Sequence, residues 1–462
     1  MTAEETLEIL IERFREIILK DDLLEVREFL NDQNISDVAD LIYEFPEYEG
    51  RIIRNMSVHR AASVFKILDL ATQKTIIEEL PPFKTAELLN ELPADDRTAF
   101  LEELPSKVVK ELIRLLDPEE RRITLSLLGY PEGSVGRLMT PDYIAVEIDW
   151  TMSEVLEHIR EVGKESETID VIYVVDSKGV FVDDVRIREI ILAAPDVIIG
   201  DIIDNRFIAL KVHDDQEVAI QIFKMNNRVA LPVVDDSNIL LGIVTIDDVL
   251  WVTNEEFSED MQKMGGMEAL NEPYLEMPIF RLFRKRVVWL FILFLGEMLT
   301  ATAMGYFEDE ISKAIVLSLF IPLIISSGGN SGSQASTLII QAMAVGEITV
   351  KDWWRVLRRE ITSGVLLGLV LGIIGFSRVV LWNVIFDSYG AHTLAIGFTI
   401  GFSLLGIVLW GTISGSMLPL VLKRLGADPA TSSAPFVATL VDVTGLVIYF
   451  TTAYIFLRGT LL

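Results

Sequence analysis

The sequence predicts a multidomain chain: an all-α superhelical repeat, a duplicated α/β pair, a connecting helix, and an all-α polytopic membrane domain with five transmembrane helices. Three observations carry that prediction. Beyond Val287 the chain is dominated by apolar runs of about 20 residues, long enough to cross a hydrocarbon core about 30 Å thick. Ahead of them, residues 79–118 repeat a proline-punctuated unit. Between the two lies a pattern of short β-branched strands and amphipathic helices that occurs twice, within residues 134–252.

Composition supports the division. The chain has 462 residues, enough for several domains, and a mean hydropathy of +0.39. The part ahead of Arg281 carries 27 basic and 59 acidic side chains, the remainder 13 and 10. An acidic surface aids solubility and argues against nucleic acid, which requires basic patches. There is no cysteine, which excludes disulfides, thiolate metal sites and cysteine catalysis. The acidic, amphipathic N-terminus lacks the basic start and apolar core of a secretory signal. The whole part ahead of Arg281 is therefore expected in the cytoplasm.

Residues 1–130 read as helix after helix. Glu-Leu-Pro recurs at 79–81, 91–93 and 103–105, and Leu116-Asp117-Pro118 continues the series. That spacing fits one three-turn helix per unit with proline at its start, stacked into a superhelix of either hand. The α/β copies are 134–199 and 200–252: residues 136–146 align with 200–210, and 173–176 with 232–235. Each includes an amphipathic helix, at 153–162 and 216–224. The first copy is degenerate, with VDDVRIREI (182–190) where the second has LGIVTIDDV (241–249). Residues 253–280 form an acidic connector, helical at first and interrupted by Gly265-Gly266 and Pro273.

The apolar spans fall at 287–306, 313–343, 361–386, 392–421 and 434–457, within a transmembrane domain of 281–462. The second and fourth contain glycine, serine and proline, so kinks or broken helices are expected there. Arg281, Arg284, Lys285, Arg286, Lys351, Arg355, Arg358, Arg359, Lys423 and Arg424 flank alternate span ends. The opposite ends hold Glu308, Asp309, Glu310, Asp387 and His392, with Lys313 and Arg458 the cations there. This asymmetry places the N-terminal domains in the cytoplasm and the C-terminus outside a cell (inner or plasma) membrane. Trp353 and Trp354 suit an interfacial belt.

Ionisable side chains inside apolar spans are costly, about 2.5–3.5 kcal/mol on insertion scales, and so are functional candidates. Asp442 lies about 12 Å into the last span at about 1.5 Å per residue. Its neighbours in ATLVDVTG are small and hydroxylated, which lets helices approach or line a polar cavity. Glu297 and Arg378 lie at similar depth in the first and third spans, so a structural ion pair is expected, with a transport role the alternative. SSGGNSGSQASTL (326–338) offers Gly328, Gly329, Asn330, Ser333 and Gln334 as pore-lining residues, including neutral oxygens that hard cations accept. Ala434, Ala438 and Thr439 are the candidates beside Asp442.

Acid clusters mark the front part: Asp95 and Asp96 in the repeat, Glu217, Asp247 and Asp248 in the second α/β copy, and Glu255, Glu256, Glu259 and Asp260 on the connector. Glu255 with Glu259, and Glu256 with Asp260, stack like charges four residues apart. Two unit charges at 4 Å interact by about 4 kcal/mol at an effective dielectric of 20, so several such contacts call for bridging cations.

LPVVDDSNILLGIVTIDDVL (231–250) and LMTPDYIAV (138–146) resemble a tandem CBS pair, a regulatory repeat that senses nucleotides or ions. GGNSGSQ (328–334) and DPATSSAPFVATLVDVTG (428–445), behind an acidic helical repeat and that pair, resemble the MgtE family of magnesium transporters across essentially the whole chain. The resemblance implies a homodimer in the lipid bilayer with its pore on the two-fold axis. It implies that Asp442 holds hydrated Mg2+, and that the connector is a plug helix closed by cytoplasmic Mg2+ bound among the acid clusters. Mg2+ would thus be both transported ion and gating ligand, with ATP at the CBS pair left open. Ala434, Trp251 and Asn226-Asn227 depart from the family pattern. The rivals are a transporter for Mn2+, Co2+ or Ni2+, or a CBS-regulated carrier of an anion or organic solute, which should show cationic or dipolar features at membrane depth. A membrane enzyme is disfavoured by four histidines, no cysteine and no phosphate loop.

Overall fold

Proline sets the rhythm of the N-terminal helices. In the computed structural model, which describes residues 3–20, 22–204, 206–270, 274–275, 277–386 and 389–461, they are α1 (Ala3–Lys20), α2 (Leu23–Asp32), α3 (Ile35–Glu44), α4 (Glu49–Arg54), α5 (Val58–Phe65), α6 (Leu70–Glu79), α7 (Pro82–Glu91), α8 (Ala94–Glu102), α9 (Ser106–Ile113) and α10 (Pro118–Leu127). Pro81, Pro93 and Pro105 occupy the N-caps of α7, α8 and α9, and Pro118 opens α10. There the missing N–H costs nothing and the fixed φ suits the first turn. Helices this short are marginal alone. They are held by packing each on the next but one: α3 on α5, α4 on α6, α5 on α7, α8 on α10. Arg97, fully buried, ties the last pair together, donating from Nε to Thr124 Oγ1 at 2.8 Å and from Nη1 to the carbonyls of Leu89 and Leu92 at 3.1 Å.

The α/β pair follows as α11 (Val135–Leu138), β1 (Ala145–Glu147), α12 (Met152–Val162), β2 (Val171–Val175), β3 (Phe181–Arg186), α13 (Ile187–Leu192), β4 (Leu210–Lys211), α14 (Gln216–Asn226), β5 (Ala230–Val234) and β6 (Leu240–Thr245). Each copy has one three-stranded sheet, parallel then antiparallel, in the orders β1-β2-β3 and β4-β5-β6. Val146 pairs with Val174, and Leu210 with Val233, so the sequence duplication is a duplication of register. The degenerate copy keeps its strand although Asp183 and Asp184 stand where the second copy has Gly242 and Ile243. Asp183 accepts the backbone N–H groups of Asp184 and Asp204, and Asp184 pairs with Arg228. Asn227 closes α14 at φ +54°, a left-handed position that asparagine tolerates, which gives that departure from the family pattern a backbone reason.

Contacts divide the chain into two compact units, Met1–Asn254 and Glu255–Leu462. The connecting helix, α15 (Ile246–Met264), starts at the end of β6 rather than at residue 253 and ends before Gly265-Gly266, with Gly266 at φ +74°. Pro273 and Asp387, expected to interrupt the connector and to flank an outer loop, lie outside the described residues.

The membrane part comprises α16 (Ile279–Tyr306), α17 (Glu308–Lys313), α18 (Ile315–Ser318), α19 (Ile321–Ala344), α20 (Trp353–Phe386), α21 (Thr393–Arg424) and α22 (Ala434–Leu457). Five stretches are long and apolar enough to cross a membrane. α16 and α20 begin eight residues before the apolar runs, because their basic starts are helical too. The second span is broken, as expected, whereas the fourth is one continuous helix. The glycine-rich segment 326–338 is continuous helix within α19, and the interruption lies earlier, around Leu319 and Phe320. α21 runs unbroken through Pro419. The glycines serve close approach instead: a Cβ on Gly415 would sit 2.1 Å from the Gly332 carbonyl oxygen, and one on Gly411 2.5 Å from that of Gly328.

Candidate functional site

The N-terminus of α22 is fixed before its carboxylate is placed. Ser433 caps it by accepting the Phe436 N–H at 3.3 Å and receives the Trp289 indole N–H of α16 at 3.1 Å. From α19, Ser333 and Ser336 donate to the carbonyls of Ala434 and Ser432, both at 2.9 Å. With the start of α22 gripped this way, Asp442 two turns on has a defined position.

Gly329, Ala438 and Asp442 come together: a Cβ on Gly329 would lie 3.3 Å from the Ala438 Cβ and 3.5 Å from Asp442 Oδ1. Thr439 packs over Gly296 of α16 and donates its hydroxyl to its own helix, to the Pro435 carbonyl. Asn330 and Gln334 share an exposed face one turn apart. Gly328 is elsewhere, buried against Ile407 and Val441, where it packs helices.

The expected Glu297–Arg378 pair is not formed. The Glu297 carboxylate instead lies close to that of Asp442, since α16 packs chiefly on α22. The Arg378 guanidinium lies 3.4 Å over the Trp382 ring, and its Nη1 is buried with no hydrogen-bond partner. Depth along separate helices was a poor guide to pairing because it carries no information on which helices are neighbours. Two carboxylates in contact repel unless a cation or proton intervenes.

In the first unit, Asp95 and Asp96 of α8 meet Asp247 and Asp248 at the start of α15, with Glu167 and Lys66 beside them. Lys66 Nζ lies 3.3 Å from Asp96 Oδ2. The Thr245 hydroxyl is shared by Asp247, at 2.6 Å, and Asp248. Burial pushes Asp248 up to about 7; the Thr245 bond opposes this, and Asp247 and Asp96 add to it. Asp95 is held well above the ordinary carboxylate range by burial and then by Asp248, and its Oδ1 is buried without a hydrogen-bond partner. Burial works against the Lys66 charge, but Asp96 and Glu167 outweigh it. Glu167 and Lys66 escaped the sequence reading, having no spacing relation to the aspartates. Glu217 stands in the first turn of α14, which Asp215 caps.

On the connecting helix, Glu255, Glu256, Glu259 and Asp260 occupy successive turns of α15. Lys263 answers two acids at once: Glu259 one turn back, and Asp428 of the loop before α22 at 2.7 Å. Burial opposes its charge, yet the bonds to Asp428 and Glu259 raise its affinity for the proton. The sequence singled out neither Lys263 nor its contact with Asp428, which lies far along the chain beyond four apolar spans. Among the described residues no three acidic or histidine side chains form a ready metal cage. A hydrated divalent ion, gripped through its water shell, needs none.

Carboxylates kept at membrane depth beside small residues and neutral oxygens belong to a membrane transporter that moves a cation. Comparison with known proteins agrees. The family described as "Divalent cation transporter" matches residues 321–452, the MgtE intracellular N domain 33–133, and the CBS domain 135–196 and 199–254. The magnesium transporter MgtE of Thermus thermophilus is 38% identical over 345 residues, 75% of each chain. That of Bacillus subtilis is 26% identical over 447 residues, 96% of each. A crystal structure of the cytosolic domain of the Mg2+ channel MgtE in complex with ATP matches 52% of this chain and 99% of its own, with a TM-score of 0.51 and 33% identity. The chain belongs to the MgtE family of magnesium transporters, and is a multi-pass membrane protein.

Proposed function

We propose that this protein is a homodimeric, Mg2+-selective import pathway closed by cytoplasmic Mg2+. The observation that carries the reading is the carboxylate pair, Asp442 with Glu297, inside the apolar helices. A two-fold axis near α19 and α22 would bring two such pairs together around one hydrated ion. Gly329 and Ala438 leave room for its water shell, and Asn330 and Gln334 offer neutral oxygens along the approach. Mg2+ prefers oxygen ligands at about 2.0–2.1 Å and sheds water reluctantly, so selection through the hydration shell suits a site with few ligands.

Closure is assigned to the acids. Asp95 has a buried, unpartnered oxygen amid like charges, which fits a cation bound from outside. Lys66 already supplies one tethered positive charge there. The acids of α15 are the second set, and the Lys263–Asp428 bridge links that helix to the loop that starts α22. Positive-inside asymmetry orients the chain with both acid sets in the cytoplasm. ATP is a candidate ligand of the CBS pair because the relative's cytosolic domain was crystallised with it.

The test is cation flux into liposomes for wild type and Asp442→Ala, with Mg2+, Mn2+, Co2+ and Ni2+ outside and Mg2+ varied on the cytoplasmic side. Asp442→Ala is expected to abolish flux, and internal Mg2+ to close the wild type. Undiminished flux in the variant removes Asp442 from the pathway; flux indifferent to internal Mg2+ removes the acid clusters from gating.

A further inference from the structure

We propose that Arg378 and Trp382 form a binding site for the phosphate of an anionic membrane lipid, at the Phe386 end of α20. The two faces of this helix differ in kind. Gly364, Gly368, Gly372 and Gly375 lie along one face and pack against α21. Ile374, Arg378, Leu381 and Ile385, at helical spacings of three and four, form another stripe, and its three apolar members are each more than half exposed. That stripe is a lipid-facing surface by composition, and it carries one full positive charge.

Among the described residues the charge has no protein counterpart. Arg378 Nη1 is buried without a hydrogen-bond acceptor, and Glu297, the acid at similar depth, is engaged with Asp442. What Arg378 does have is Trp382, whose ring lies 3.4 Å beneath the guanidinium. Trp382 is in turn packed on Phe386 with centroids 5.0 Å apart. Arg378 therefore leans toward the helix end, the direction in which a long cationic side chain snorkels. It starts eight residues, about 12 Å, inside that end. Tryptophan at this level marks the headgroup boundary.

An anion must approach from the bilayer, because the apolar members of the stripe are open to it. The phosphodiester of a phospholipid is the anion present at that depth. With Nη1 buried, the Nε and Nη2 edge of the guanidinium is the planar fork that can donate two parallel hydrogen bonds to it, while the ring fixes the plane of that fork. The flanking Ile374, Leu381 and Ile385 would lie along the acyl chains of the same lipid. The site is separate from the cation route and stands or falls independently of gating.

The full-length protein, purified in detergent and given phosphatidylglycerol or phosphatidylcholine, tests this by native mass spectrometry of retained lipid. Wild type should retain phosphatidylglycerol preferentially, and Arg378→Gln should lower that preference about tenfold, the weight of one charge-assisted hydrogen bond. Arg378→Lys, which keeps the charge and loses the fork, should fall between them, and it carries the comparison if the glutamine variant does not fold. Three results would overturn the proposal. One is lipid retention that both variants leave unchanged. Another is a change of oligomeric state in Arg378→Gln at unaltered lipid retention, which would give the guanidinium a carboxylate of a second copy instead. The third is inorganic phosphate displacing the bound phosphatidylglycerol, which would make the site one for the free anion.

Discussion

Asp442 is held by its neighbours rather than by its own hydrogen bonds. Ser433 and the two serines of α19 fix the start of α22, Gly329 leaves space beside Oδ1, and Glu297 presses a second carboxylate against it. If the pair shares one hydrated ion, Glu297→Gln removes half the negative charge while keeping shape and hydrogen-bonding capacity. Flux at low external Mg2+ is expected to drop roughly tenfold, about the effect of losing one modest electrostatic contact, and to recover at saturating Mg2+. A concentration series in liposomes would show this as a raised half-saturation point. Unchanged half-saturation would confine Glu297 to a packing role.

Among the elements, α15 is tied to the loop before α22 by a charged contact, and α19 and α21 are joined by a glycine seam. Lys263 is about a quarter and Asp428 about one-third exposed, so their bridge is worth at most about 1 kcal/mol. Reversing the lysine with Lys263→Glu sets three acids together and should raise the internal Mg2+ needed for half-closure about two- to fivefold. Adding Asp428→Lys should restore it, with maximal flux the same throughout. Failure of the double reversal to rescue would mean that Lys263 acts through something other than this contact. The seam is less forgiving. A side chain at Gly415 would meet the Gly332 carbonyl in a place where neither helix can retreat without leaving its other partner, so Gly415→Val is expected to abolish insertion of folded protein, measured by loss of the monodisperse peak on size exclusion.

For the molecule as a whole, the first unit stores like-charge repulsion that protons or metal can relieve. Asp248, at about 7 and well above its unfolded range, with Asp95 and Asp96 also raised by burial, makes the folded unit bind more protons than the unfolded chain between about pH 4 and 7. Stability of that unit must therefore fall as pH rises through this window and level off above it, by roughly 1–4 kcal/mol in the absence of divalent ions. Lys66, raised in its turn, stays charged across the same range and contributes no slope. Hydrogen exchange of the α8 amides in the full chain, corrected for intrinsic rate, should show protection declining from about pH 5 to about pH 7.5 in chelator, and a flat profile once millimolar Mg2+ replaces the protons. A profile flat in both conditions would remove the cluster from ion sensing.

The sequence by itself determined whatever depends on local pattern. Evenly spaced prolines fixed where the short helices begin, apolar run length fixed five spans, and the offsets between the α/β copies marked equivalent strand residues, which the structure then pairs alike, Val146 with Val174 and Leu210 with Val233. Asp442 stood out because a lone acid in an apolar run is costly wherever that run packs. Tertiary structure alone decided the partners. It set Glu297 against Asp442 instead of Arg378, sent Lys263 to Asp428, brought Glu167 and Lys66 among the aspartates, and made the glycine run a continuous packing face. The physical reason is common to all four: periodicity along one helix fixes which residues share a face, whereas the identity of the facing helix comes from close packing among distant segments.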